Sequence, residues 1–209
     1  MSPKIKRKIF SHFQEYFSRY LFLIFLFFTG ALCGVFSVST LSEFGRNSSV
    51  EYTGALVQGL SQSIPDIGVT LLWSFLIRAC SLAFLYAGGI LCIGTIASFL
   101  YMLCFGFSMG FTVTLFFHSI GWKAVFILFG ALLPGVYIFA VYLYASILSM
   151  LSSRTLRQEI MKRQRLSLRE RARKVSAGWL PVSAAALAGI LLESLVSPIL
   201  MHFFARILV

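Results

Sequence analysis

The chain has 209 residues, of which 58% are hydrophobic and 12% charged, with 22 phenylalanines and a mean hydropathy of +0.87. A water-soluble domain of this size is excluded, because several apolar runs approach or exceed the roughly 20 residues that cross a bilayer. The net charge of +11 does not indicate a nucleic-acid partner, because the basic residues sit beside apolar runs, where they set topology and attract anionic lipid.

Residues 1–19 carry Lys4, Lys6, Arg7, Lys8 and Arg19 against Glu15, with Phe10, Phe13 and Phe17 at helical spacing. This pattern fits a basic amphipathic helix lying on a membrane surface or, equally, a solvated tail. The first span covers 20–38 and ends in the small residues Gly30, Ala31 and Gly34, which suit helix contact. It lacks a small-residue cleavage site and reads as a retained anchor.

Residues 39–78 form the main polar segment, with a short helix expected near 50–60. Within it, 67–77 is apolar but too short to span alone, and Arg78 follows. It reads as an interfacial helix leading into a second span at 79–95. The alternative, one long helix from Ile67, places Arg78 at costly membrane depth. The third span covers 97–117, with the preceding reversal expected near 94–98.

In the third span Ser98, Met102, Gly106, Gly110, Thr114 and His118 recur every four residues and share one helical face. Gly106 and Gly110 form a small-xxx-small pair that lets a neighbouring backbone approach closely. The polar turn His118–Lys123 then leads into a fourth span at 124–150, where Pro134 predicts a kink. Residues 152–176 carry nine Lys and Arg against Glu159 and Glu170, and the fifth span covers 179–204.

The N-terminus and the 152–176 loop together hold fourteen of the eighteen basic residues. Both are expected in the cytoplasm. Four spans separate them, so the two assignments agree. The expected fold is therefore an all-α integral membrane protein of five transmembrane helices, N-in and C-out, forming a single domain. The 39–78 segment, the His118–Lys123 turn and the C-terminus then face outside.

Glu193 is the acid well inside a predicted span. An acid at that depth is expensive and is a functional candidate by default. It shares a four-residue spacing with Ala185, Gly189 and Ser197, which places it on the small-residue face. It can serve as a proton or ligand site, pair with a charge across the bundle, or fix helix register as a neutral acid. His118, Lys123, Arg78 and His202 are its possible partners. The two histidines lack metal-ligand spacing, and Cys33, Cys80, Cys92 and Cys104 form no CxxC or Cys/His cluster, so no metal or other cofactor is expected. No nucleophile elbow, phosphate loop or dinucleotide fingerprint is present, which argues against an enzyme.

Three segments carry a family resemblance: GFTVTLFFHSIGWK at 110–123, LLPGVYIFA at 132–140 and LESLVSPI at 192–199. The chain resembles the stage II sporulation protein M (SpoIIM) family, which has a glycine-rich GFTV…GWK hairpin, a Pro-bearing start to its next helix, and a Glu-bearing motif ending in Ser or Thr followed by Pro. Wider members often carry Glu or Gln just after the Pro; here that place is Gly135-Val136. The resemblance implies a non-enzymatic membrane scaffold of the sporulation septum and then the engulfing mother-cell membrane. It implies partnership with a SpoIID-like lytic transglycosylase and a SpoIIP-like amidase/endopeptidase. Within it, Glu193 is the retained intramembrane candidate. Gly106, Gly110, Gly189 and Pro134 are expected to shape helix packing, and His118, Trp122 and Lys123 to face partners. A small carrier built on Glu193 is the competing expectation, motivated by the Pro134-Gly135 break.

Overall fold

The computed structural model describes residues 14–63, 65–161 and 168–208. Most of the expected 1–19 amphipathic helix and the centre of the basic loop therefore lie outside the described residues. Six α-helices appear: α1 (Phe17–Thr40), α2 (Glu43–Gln62), α3 (Ile67–Ile90), α4 (Gly94–Ile120), α5 (Ala124–Met161) and α6 (Leu168–Leu208), with a 3₁₀ turn at Gly121–Lys123 between α4 and α5. Five stretches are long and apolar enough to cross a membrane; α2 is the helix that is not among them.

Local chemistry sets the boundaries. The Ser42 hydroxyl caps α2 by accepting from Gly45 N–H at 3.2 Å, and the Asp66 carboxylate caps α3 by accepting from Gly68 N–H at 2.8 Å. Between α3 and α4 the chain reverses in three residues, with Cys92 in the left-handed region at φ 62°. After α4, Gly121 takes φ 60°, ψ −141°, which is open to glycine and strained for other residues.

Helix directions follow from the pairings. In α4 and α5 the Ser98 hydroxyl meets the Ser146 carbonyl, Tyr101 stacks on Tyr142, and Phe105 stacks on Phe139. The two numbers sum to an almost constant value, so the helices are antiparallel along their length. In α1 and α4 the offset is nearly constant instead: an added Cβ at Gly30 would meet the backbone at Leu103 and Phe107, and one at Gly34 would meet Phe107 and Phe111. These two helices are parallel. By the same reasoning α3 runs parallel to α5, through Tyr142 to Arg78 and Ser149 to Leu85, and antiparallel to α6.

The α1–α4 contact is backbone on backbone. An added Cβ at Gly106 would overlap the Phe27 carbonyl, and one at Gly110 the Ala31 carbonyl. Two facing small-xxx-small pairs, Gly30/Gly34 and Gly106/Gly110, thus bring the helix axes together where lipid supplies no hydrophobic drive. The four-residue stripe in α4 faces inward for most of its length: Ser98, Met102, Gly106 and Gly110 are buried, whereas His118 at its end is exposed.

The structure corrects several boundaries. The 67–77 segment is not a separate interfacial helix, because α3 is continuous from Ile67 to Ile90 and places Arg78 at its middle. The polar segment between the first two spans holds a full 20-residue helix, α2. The reversal before the third span falls at residues 91–93, ahead of the expected 94–98. The helix at Pro134 is uninterrupted; Pro134 cannot donate to the carbonyl four residues back, and Ser197 Oγ supplies a donor to that Gly130 oxygen at 3.4 Å. The last two helices also extend past the predicted spans into the basic segment.

Candidate functional site

Arg78 lies 11 residues into α3, about 17 Å along the axis from its start. Glu193 sits on α6, which runs antiparallel beside it. Arg78 Nη2 donates to Glu193 Oε1 at 2.7 Å and Nε donates to Oε2 at 3.1 Å. This is a bidentate guanidinium–carboxylate pair, the geometry in which arginine binds a carboxylate best. The side chains are 14% and 27% exposed. Of the four candidate partners, the fold selects Arg78.

Two aromatic rings flank the arginine. The Arg78 guanidinium lies 5.8 Å from the Phe105 ring centre and 5.9 Å from that of Tyr142, within cation–π range. The Tyr142 hydroxyl donates to the Arg78 carbonyl at 2.8 Å, so α5 holds the same turn of α3. One charged pair thereby ties α3 to α6, and one phenol ties α5 to α3.

A cavity of about 430 Å³ opens beside the pair between α3 and α4. Ser74, Ser81, Tyr101 and Cys104 line it together with the pair itself. Chemically the arrangement can fix two helices, or present a charge-balanced polar wall to a small molecule. Among the described residues no three His, Cys, Asp or Glu side chains converge as metal ligands would.

The remaining site residues distribute along the bundle. Gly189 packs its backbone on Tyr137 and Ile138 of α5, and Pro134 is buried. His118, Trp122 and Lys123 lie exposed at the α4–α5 turn, with Trp122 85% exposed and edge-on to Phe117. The same end of the bundle carries α2, held by Ser119 Oγ donating to the Val50 carbonyl at 2.9 Å and by His202 Nδ1 against the Leu60 carbonyl. A carbonyl only accepts, so that nitrogen carries the proton. His202 is thus a docking residue for α2 and is not paired with Glu193. Ser149, which the sequence did not single out, and Ser98, which stands on the four-residue stripe of α4, join helices through buried hydrogen bonds. Ser149 Oγ donates to the Leu85 carbonyl at 2.6 Å, and the Ser98 hydroxyl lies 2.9 Å from the Ser146 carbonyl.

The fold and this site define a class: a polytopic α-helical membrane protein with five candidate spans and an arginine–glutamate pair at mid-helix. Compared with protein-family models, curated proteins and solved structures, the chain shows no match.

Proposed function

We propose that this protein is a non-enzymatic scaffold in a septal peptidoglycan-degrading complex, needed for septal wall thinning and forespore engulfment. The reading rests on the SpoIIM-like segments at 110–123, 132–140 and 192–199. Orientation follows the basic residues, N-in and C-out, so that α2 and the His118–Lys123 turn face the wall space. There they meet a SpoIID-like lytic transglycosylase and a SpoIIP-like amidase/endopeptidase.

The observation that favours a scaffold over a carrier is that both Glu193 oxygens accept from one guanidinium. An acid so committed serves helix register better than proton cycling. The carrier reading is favoured by the cavity beside the same pair.

Affinity recovery of the tagged full chain from sporulating cells, in mild detergent, tests the scaffold. An amidase and a lytic transglycosylase accompany it if the reading is right. Their absence beside intact protein refutes it. Glu193→Gln separates the two readings: a carrier loses function with its complex assembled, whereas a scaffold loses function only together with assembly or abundance.

A further inference from the structure

We infer that the chain binds the phosphate of an anionic phospholipid in a pocket at the end of the bundle opposite α2. The inference requires the membrane-spanning fold and is independent of the scaffold role. A cavity of about 360 Å³ is lined there by Cys92, Ile93, Thr95 and Ile96 from the α3–α4 reversal and by Ser153, Arg154 and Arg157 from α5. Arg154 and Arg157 stand three residues apart, hence on one helical face. Both are exposed, and among the described residues neither pairs with a carboxylate. Two guanidiniums beside the Thr95 hydroxyl give the donor set that a phosphate diester accepts. The first-turn N–H groups of α4 have no intrahelical acceptor and no side-chain cap, and add the positive end of a 27-residue helix.

The apolar half of the pocket distinguishes a lipid from a soluble anion. Ile93 and Ile96 are 49% and 68% exposed. They belong to the end of a helix about 40 Å long, which exceeds the hydrocarbon thickness and sets its first turn at headgroup level. Guanidiniums for a headgroup and bare isoleucines for acyl chains meet in one cavity. An inorganic phosphate would use only the first.

Native mass spectrometry of the detergent-solubilised full chain, titrated with dioleoyl phosphatidylglycerol or dioleoyl phosphatidylcholine, tests this. A saturable phosphatidylglycerol adduct is expected, with phosphatidylcholine much weaker. Each arginine contributes about five-fold to affinity at a membrane surface, so Arg154→Gln with Arg157→Gln weakens the adduct by about 25-fold. Arg173→Gln, an exposed change outside the pocket, leaves it intact. An equal loss with Arg173→Gln overturns the site in favour of diffuse attraction. Displacement of the lipid by excess inorganic phosphate overturns the lipid in favour of an anion pocket. Unchanged thermal unfolding of each variant ties any loss to binding.

Discussion

Breaking the Arg78–Glu193 pair from either side leaves the other member without its partner. Glu193→Gln leaves a guanidinium at the middle of α3, and arginine stays charged at any pH such assays use. A lone arginine at the centre of a span costs about 2.5–3.5 kcal/mol on insertion scales. The Phe105 and Tyr142 rings beside it offset about 0.5–1 kcal/mol, which leaves a loss of about 2 kcal/mol. Arg78→Gln instead leaves the Glu193 carboxyl group without the two guanidinium donors it accepts from, and is expected to destabilise the fold in its turn. The double variant recovers most of the single losses, because no charge is left without its partner. Reversible unfolding of the four proteins in mixed micelles reads these values. Additive losses in the double variant refute the pair as the tie between α3 and α6.

Other perturbations address separate contacts. Gly106→Leu drives a side chain into the α1 backbone and is expected to cut the yield of folded protein in size-exclusion profiles. Gly54→Ala, where an added Cβ meets nothing within 4 Å, is expected to gain up to about 1 kcal/mol of helix stability. Ser197→Ala removes the donor to the Gly130 carbonyl at a cost of about 0.6 kcal/mol, and in a Pro134→Ala background the same change is neutral, because residue 134 then supplies the N–H. His202→Ala releases the Leu60 carbonyl, so amide exchange in α2 quickens while exchange in α4 stays slow.

The spans and the α4–α5 hairpin were legible in the sequence because each is a long apolar run broken by a polar turn, and such runs need no partner to be recognised. The inward face of α4 was legible for the same reason, as a four-residue repeat of small side chains. The ion pair was not. Arg78 alone argues against a membrane helix, and that cost made 67–77 look interfacial. Its offset sits 115 residues away on α6, beyond any local pattern. The pairing of Gly30/Gly34 with Gly106/Gly110 was hidden similarly: each stripe shows in the sequence, but which stripes face one another is settled only by the fold. The role of Ser197 was likewise visible only once Pro134 and α6 were seen together.

The parallel pairing of α1 with α4 has a consequence for how the protein is made. Gly30 leaves the ribosome 76 residues before Gly106, about 4–15 s at usual synthesis rates. The first helix must therefore wait in lipid with its groove unfilled until the fourth arrives, while α3 and α4 form their own hairpin. The molecule is thus assembled from a late-docking first helix and a core that follows it. Severing the chain between Thr40 and Glu43 and co-expressing the two pieces should still rebuild the bundle.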